Sequence, residues 1–243
     1  MPAPIPKLLW QTTAVDRARV PFDTLLGEHA AGYEHHVVDD AGCEAFIAEH
    51  FPHAVDAFRA LKGAHKADLF RYCVLFVRGG VYLDIKTVLH RPLDALFPSH
   101  ADKLTWYTIV CNSKRCLYNG IIATPPGNPI FGTLIDYIVA HHPPTHYHEY
   151  VRHMKRAVAK RYGNVRHAAV LEDAQTRLIL RAEVCGGREC RYTAGQRTDR
   201  YGLCCNVYDH HLDPESPVIT VREPDYPWDG STERLRVERL RVR

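Results

Sequence analysis

Residues 64–86 read AHKADLFRYCVLFVRGGVYLDIK, and this stretch decides the fold. Apolar side chains recur at helical spacing in its first part, at Leu69, Tyr72, Cys73, Phe76 and Val77. The pattern predicts an α-helix with one buried face. The pair Gly79 and Gly80 predicts the end of that helix, because glycine adopts the left-handed conformation at little cost. The β-prone run after the glycines predicts a short buried strand that delivers Asp84 and Lys86.

Asp68 and Arg71 are the charged residues of the predicted helix on which the interpretation depends. They are three residues apart and are therefore neighbours on the helix surface. Taken alone, they would form a surface ion pair that contributes less than about 1 kcal/mol. Asp84 changes that interpretation, because a carboxylate at the end of a buried strand is costly to place there. The three side chains together predict a binding site.

The composition excludes several classes of protein. With 243 residues, 46% of them hydrophobic and 24% charged, the chain suits one large α/β domain. The net charge of +3 is too small to argue for nucleic acid as a partner. No apolar run reaches the ~18 residues of a membrane span, and the start, MPAPIP, lacks the features of a signal peptide. We therefore expect a protein without anchor or signal peptide, in the cytoplasm of a bacterium or of a virus-infected host.

The eight cysteines are expected to be free thiols, because nothing else in the sequence indicates an oxidising compartment. Cys73 falls on the apolar face of the predicted helix and is expected to be a small buried hydrophobic residue. A second hypothesis concerns four cysteines that could supply zinc thiolates, namely Cys185, Cys190, Cys204 and Cys205. Their spacing lacks the C-x2-C pairs of common zinc sites, so free thiols are the favoured interpretation.

An apolar run at residues 5–11, IPKLLWQ, predicts the first strand. Strand and helix patterns then alternate, which is typical of a mostly parallel sheet flanked by helices. Further strands are predicted at 104–110, 118–124 and 218–221, the last at an edge, and further helices at 131–142, 146–162 and 173–184. Asp173 is the expected cap of the last helix.

Transfer of a sugar from a nucleotide sets two requirements for a protein. It must neutralise the negative charge that grows on the diphosphate leaving group, and it must bind the sugar hydroxyls. An Asp-x-Asp motif at a strand end meets both, because its carboxylates point to the same side and bind hydroxyls, Mg²⁺ or Mn²⁺. The corresponding residues here are Asp84, Ile85 and Lys86, so a cation replaces the second carboxylate.

Residues 64–84 match the pattern A-x3-D-x2-R-Y-x2-L-x3-G-G-x-Y-x-D, which resembles the DXD-containing sugar-binding region of glycosyltransferase family 32. This resemblance is to mannosyltransferases and galactosyltransferases. Residues 5–11 resemble the family's I-P-K-x-I-x-Q first strand, and residues 119–129 resemble its N-x3-A…P-G-x-P element. Three matches in the right order are far more specific than one motif.

The resemblance implies a GT-A-type fold: an open, mostly parallel α/β sheet that binds its donor at the carboxyl ends of the strands, with added helices in the C-terminal half. It implies a retaining glycosyltransferase that moves a hexose from a UDP- or GDP-sugar to a glycan or protein acceptor, as in polysaccharide biosynthesis. Within a single domain, 1–243, residues 1–130 would bind the nucleotide sugar. Residues 131–231 would form a helical half for the acceptor, and residues 232–243 a basic tail.

The resemblance also assigns site residues. The catalytic positions would be Asp68, Arg71, Asp84 and Asn119. The donor would contact the first three of these together with Trp10, Gln11, Tyr82 and Lys86, of which Trp10 and Gln11 would lie beside the nucleotide base. A Mn²⁺ or Mg²⁺ ion would bind Asp84, with help from Asp209, His210 or His211. Because Lys86 could offset the diphosphate charge directly, dependence on the metal stays open.

Two other functions stay open as alternatives. The chain could be a degenerate relative that binds a nucleotide sugar or glycan without turnover, which the replacement by Lys86 favours. It could instead be an interaction protein that acts through the basic helix at 146–162 and the basic tail. A solvated helix face and a fraying tail are the plain interpretations of those two segments.

Overall fold

The computed structural model describes residues 2–13, 26–85, 87–111, 116–163, 165, 169–184, 203–208 and 218–222. Its helices are α1 (Asp40–His50), α2 (Val55–Ala60), α3 (Ala64–Val77), α4 (Leu93–Leu96), α5 (Pro129–Ala140) and α6 (Glu149–Tyr162). Its strands are β1 (Leu8–Thr12), β2 (Glu34–Val38), β3 (Gly80–Leu83), β4 (Thr87–Leu89), β5 (Leu104–Val110), β6 (Leu117–Thr124), β7 (Ala169–Glu172), β8 (Thr176–Val184), β9 (Leu203–Tyr208) and β10 (Ile219–Arg222).

The strands form one ten-stranded sheet in the order β2-β1-β3-β6-β5-β8-β9-β10-β4, and β7 pairs with β8 outside this path. Parallel ladders join β1 to β2, β1 to β3 and β5 to β8, and the other ladders between described strands are antiparallel. The α/β class and the flanking helices are confirmed, and the expected parallel pairing holds for part of the sheet. The connections β5–β6 and β7–β8 are too short for the crossover that parallel neighbours need.

Two hydrophobic cores lie on opposite faces of the sheet, because successive side chains of a strand point to opposite faces. In β3, Tyr82 packs into one core, while Val81 and Leu83 pack into the other. The larger core lies under α1, α2, α3, α5 and α6, and the smaller one lies under α4. None of the described helices is long and apolar enough to cross a membrane. Because helices cover both faces, the strand ends are the accessible place for a site.

The stretch that decides the fold adopts its predicted structure. α3 is followed by a turn at Gly79 and Gly80, whose φ angles are 66° and 99°. This is the left-handed region, which glycine occupies at little cost. A Cβ atom at Gly80 would also overlap the backbone of Leu8 in β1. The turn therefore requires glycine both for its conformation and for the close approach of the two strands.

The C-terminal half contains both confirmed and corrected predictions. α5 and α6 are the expected added helices, whereas residues 176–184 form β8 rather than a helix. Asp173 caps a turn instead, where its Oδ1 accepts the backbone N–H groups of Gln175 and Thr176 at 2.8 and 2.7 Å. Aspartate makes the same local hydrogen bonds in turns and in helix caps, so it predicts both equally well. β10 lies between β9 and β4 and is therefore not the expected edge strand.

The structure pairs Cys111 with Cys116 in a disulfide, so the prediction of free thiols is wrong for these two residues. Their Cα atoms are 5.6 Å apart, because the antiparallel pairing of β5 and β6 brings the strand ends together. Cys43 and Cys73 are free and buried, as expected for Cys73. The zinc hypothesis concerns side chains that lie outside the described part of the chain, and it stays a prediction.

The turn at Asp173 can be tested by substitution. We expect Asp173→Ala to lower the free energy of unfolding by about 1 kcal/mol, because two backbone N–H groups lose their acceptor. The change also removes the ion pair with Arg161, at 2.6 Å. Asp173→Asn keeps a side-chain acceptor and is the matched control, with roughly half the loss. Urea unfolding at pH 7 measures both variants.

The same variants should respond to pH. Burial alone would raise the pKa of Asp173, but the N–H groups of Gln175 and Thr176 and the charge of Arg161 outweigh it and lower the pKa from 3.8 to about 2. The folded pKa lies below the unfolded value, so the contribution of the carboxylate is complete above about pH 5 and is lost as the pH falls toward 2. The stability difference between wild type and Asp173→Ala should shrink over this range, and a constant difference would contradict the assignment.

Candidate active site

The predicted site residues come from three strands, β1, β3 and β6, and from the helix α3. Asp84 follows the carboxyl end of β3, and Gln11 lies near the carboxyl end of the parallel strand β1. β6 runs antiparallel to β3, so its first residues lie at the same edge of the sheet and bring in Asn119. α3 contributes Asp68 and Arg71. The site thus lies at the carboxyl ends of parallel strands, the usual ligand-binding edge of an open α/β sheet.

The guanidinium of Arg71 is at the centre of this site, and the residue is only 3% exposed. Its Nε donates to the carbonyl oxygen of Ala67 at 3.0 Å, and its Nη1 donates to Oδ1 of Asn119 at 3.0 Å. Its Nη2 lies 3.5 Å from Oδ1 of Asp68 and 3.3 Å from Oδ1 of Asp84. Burial of a cation is costly without such partners. Arg71 therefore joins α3, β6 and the end of β3.

Asn119 connects the buried charges. Its amide nitrogen donates to Oδ1 of Asp68 at 2.8 Å and to the hydroxyl of Tyr72 at 2.9 Å. Its oxygen accepts from Arg71. The amide therefore has a cation at its oxygen and a carboxylate at its nitrogen, and these two partners fix the orientation of the Asn119 side chain. Asn119 is 4% and Asp68 is 7% exposed. The structure thus brings Asp68, Arg71 and Asn119 together.

Asp84 is the more exposed of the two carboxylates, with 22% of its side chain exposed against 10% for Asp68. Its Oδ2 accepts from the hydroxyl of Tyr118 at 2.8 Å. Gly120 makes room for this pair, because a Cβ atom there would overlap both Oδ2 of Asp84 and the hydroxyl of Tyr118. Sequence reasoning missed Tyr118 and Gly120. Because neighbouring side chains of a strand point to opposite faces, their position beside Asn119 in β6 does not indicate a contact with Asp84.

Gln11 and Tyr82 also lie beside this network. Nε2 of Gln11 donates to the carbonyl oxygen of Asp84 at 3.4 Å, and its Oε1 lies 2.8 Å from Nε2 of His35. The ring of Tyr82 lies against the guanidinium of Arg71, with 4.4 Å between Cζ and the ring centroid. This is a favourable cation–π distance. Both residues therefore support the position of the charged groups.

Trp10 is 9% exposed and packs in the larger core. Its indole N–H donates to the carbonyl oxygen of Gly79 at 2.9 Å, and its ring stacks on His36 with the centroids 4.3 Å apart. Trp10 therefore ties β1 to the glycine turn. Its expected place beside a nucleotide base stays a prediction.

Burial shifts the pKa values of the charged side chains in the site. It raises the pKa of Asp68, although the charge of Arg71 opposes this effect. Burial would lower the pKa of Arg71, but the acidic neighbours, including Asp84 and Asp68, outweigh it, so the pKa of Arg71 is raised. Arg71 is therefore always protonated. With both carboxylates ionised, these three groups together carry a net negative charge.

Asp84 is the one predicted metal ligand that lies in the described part of the chain. Lys86, the basic tail at 232–243, and the segment Asp209, His210 and His211 lie outside the described part of the chain, so their assignments stay predictions. Within that part, no group of three or more His, Cys, Asp or Glu side chains could hold a metal ion. Both oxygens of Asp84 already contact protein groups. The described side chains therefore do not form a Mn²⁺ or Mg²⁺ site by themselves.

The importance of the buried cation can be measured. We expect Arg71→Met to lower the free energy of unfolding by about 3–5 kcal/mol at pH 7, because two carboxylates lose their cation. Arg59→Met is the matched control, since Arg59 forms a more exposed ion pair with Glu44 at 2.8 Å. That pair should contribute less than about 1 kcal/mol. Urea unfolding measures both variants, and equal losses would contradict the central role of Arg71.

The loss caused by Arg71→Met should depend on pH. Burial raises the pKa of Asp68 above the ordinary value of 3.8, so the folded protein binds this proton more tightly than the unfolded chain does. Protonation therefore stabilises the fold as the pH falls. Without the cation this effect should be larger. We expect a smaller loss at pH 5 than at pH 7 in the same unfolding measurement.

Residues 22–102 match the family described as "Glycosyltransferase sugar-binding region containing DXD motif". The matching segment contains α3, the glycine turn and Asp84, and it ends before Asn119. The family match therefore includes the charged half of the site, while β6 supplies the rest.

Several proteins are similar to this chain. An "Initiation-specific alpha-1,6-mannosyltransferase" from Candida albicans is 37% identical over 102 residues, which cover 37% of this chain and 26% of that protein. The protein of the same name from Schizosaccharomyces pombe is 29% identical over 157 residues, which cover 55% of this chain and 39% of that protein. The chain thus spans well under half the length of these relatives. A solved structure described as "PaToxG Glycosyltransferase" aligns with a TM-score of 0.49 at 14% identity, covering 66% of this chain and 70% of that chain. Residues 22–102 of this chain are thus similar to the DXD-containing glycosyltransferase sugar-binding region, in agreement with the resemblance of the sequence motifs.

Proposed function

We propose that this chain is a retaining glycosyltransferase that moves a hexose from a UDP- or GDP-sugar to a glycan or protein acceptor. The main support is the network of Asp68, Arg71, Asn119 and Asp84 at the carboxyl ends of β1 and β3. The family match covers Asp68, Arg71 and Asp84, and its description as a sugar-binding region supports the proposal. Relatives whose names specify mannose transfer support a hexose as the transferred group. The open α/β sheet agrees with the GT-A-type fold that the resemblance implies.

Asp84 is the proposed contact to the donor. Its carboxylate is fixed by Tyr118 and Arg71 and is still partly exposed. A fixed carboxylate can accept hydrogen bonds from sugar or ribose hydroxyls without losing further conformational freedom. We therefore assign Asp84 to the nucleotide sugar itself.

Arg71 and Asn119 are proposed to act through Asp84 and Asp68. Exposure of only 3% and 4% leaves these two side chains little access to a ligand. Their hydrogen bonds instead set the positions of the two carboxylates. We therefore assign Arg71 and Asn119 as positioning residues.

The leaving diphosphate needs a cation, because negative charge grows on it during transfer. Arg71 is bound to protein acceptors on all sides and is buried. We assign this charge to Lys86, two residues after Asp84 in the sequence. Mn²⁺ or Mg²⁺ would supply further Lewis acidity near Asp84 when bound, and an assay with EDTA tests whether the reaction requires the metal.

The proposed activity is tested by measuring release of UDP or GDP from a panel of nucleotide sugars, each with Mn²⁺, with Mg²⁺ and with EDTA. We expect hydrolysis of at least one donor, and NMR of the product with an acceptor should show retention of the anomeric configuration. Binding of a donor without turnover would support the degenerate alternative. If no UDP- or GDP-sugar is bound or hydrolysed, the proposed function is wrong.

The role of Asp84 is tested with Asp84→Asn, which preserves size but removes the negative charge. We expect the rate of donor hydrolysis to fall by about a hundredfold, because a positioned charge at the reacting group is lost. Asp94→Asn is the matched control, since Asp94 is 58% exposed and pairs with Lys7 away from the site. Donor hydrolysis by this control should equal that of wild type. Equal rates in both variants would contradict the assignment of Asp84.

The cytoplasmic location that we propose can be tested through Cys111 and Cys116. Disulfides persist in oxidising compartments and are rare in the cytoplasm. If the protein resides in the cytoplasm, this disulfide should be reduced in the cell, and alkylation of fresh cell lysate followed by mass spectrometry should find both thiols modified. A protected disulfide in the same experiment would place the protein in an oxidising compartment.

A further inference from the structure

An exposed tyrosine lies beside the first turn of α3. Among the described residues, Tyr147 and Val170 are the exposed large hydrophobic side chains, at 52% and 56%. Tyr147 belongs to the connection between α5 and α6, and its carbonyl oxygen lies 3.0 Å from Nε2 of His65. A single exposed aromatic ring needs no function. This ring is held in place, however, and it contacts His65, which lies one helical turn before Asp68 in α3.

Several contacts hold the ring of Tyr147. The ring of His65 lies 5.4 Å away on one side, and the ring of His148 lies 5.0 Å away in an edge-on arrangement. The turn that carries Tyr147 is fixed by Glu149, which accepts hydrogen bonds from the backbone N–H and the hydroxyl of Thr145 at 2.6 and 2.7 Å. A ring that is already ordered loses little entropy when a ligand binds.

His65 connects this tyrosine to the charged network. It lies three residues before Asp68 in α3, so the two side chains are on the same face, with a rise of about 4.5 Å between them along the helix axis. Tyr150 packs edge-on against His65 with the ring centroids 5.4 Å apart. Tyr147 therefore contacts α3 about one helical turn before Asp68, a residue of the proposed donor site.

We propose that Tyr147 is the platform for the acceptor sugar. A pyranose ring has an apolar C–H face and a rim of hydroxyl groups. The exposed phenol ring suits the apolar face, and its hydroxyl and the imidazole of His148 suit the rim. This inference rests on the proposed function, because a transferase needs an acceptor site beside its donor site, and a glycan acceptor presents a sugar there.

The experiment uses the full chain and the nucleotide sugar that it hydrolyses. The acceptors are the methyl α-glycosides of mannose, glucose, galactose and N-acetylglucosamine. We expect Tyr147→Ala to raise the ratio of acceptor KM to donor KM by about tenfold, because stacking is lost. Tyr147→Phe keeps the ring and should stay within about twofold of wild type. Val170→Ala is the matched control for an exposed apolar side chain, and both KM values should equal those of wild type. Thermal unfolding of each variant checks its fold.

The outcomes separate this inference from the proposed function. An unchanged KM ratio in Tyr147→Ala, or an equal rise of both KM values, would overturn the platform. If wild type turns over no donor, the proposed function fails, and saturation-transfer NMR with the same four glycosides still tests the platform. The platform is supported if saturation transfer is lost in Tyr147→Ala and kept in Val170→Ala. It is overturned if wild type and both variants show equal saturation transfer, or if none of them shows any.

Discussion

The buried guanidinium of Arg71 is the constraint on which the rest of the site depends. When a cation is removed from water, protein acceptors must replace the water molecules that it loses. Here those acceptors come from its own helix, from the strand end at Asp84 and from Asn119 in β6. The requirement fixes α3, β3 and β6 relative to one another. It also explains why Gly120 lacks a side chain, because Asp84 and Tyr118 occupy that space.

Because of the same requirement, the side chains of the site are buried to different degrees. Asp68 and Asn119 are almost fully buried, whereas Asp84, which lies as close to the cation, is partly exposed. Burial stabilises the orientation of each group but removes it from direct contact with a ligand. A donor would therefore meet one ordered carboxylate, backed by a buried network that keeps it in place.

α3 also relates the two proposed binding surfaces. Asp68 and Arg71 face the donor side, and His65, one turn earlier, contacts the connection that presents Tyr147. A rigid helix keeps the spacing between these positions constant. The N-terminal half of the chain therefore supplies the charged groups, while the α5–α6 connection supplies an aromatic ring that contacts His65.

Local patterns in the sequence determined much of this protein. The apolar spacing of residues 64–77 and the two glycines were sufficient to predict α3, the turn and β3, because these features depend on neighbours within a few residues. Asn119 was assigned to the site by family resemblance. Tyr118 could not be found in this way, since it meets Asp84 34 residues away in the sequence.

Tertiary pairing decided the remaining elements. Residues 176–184 form a strand because β5, β7 and β9 provide its hydrogen-bond partners, and Asp173 makes local bonds that suit a turn or a helix equally. The sequence by itself thus determined which side chains are charged, which are apolar and where the chain turns. Only the packing of distant segments decided which of them share one buried cation, because its hydration must be replaced by groups from several elements at once.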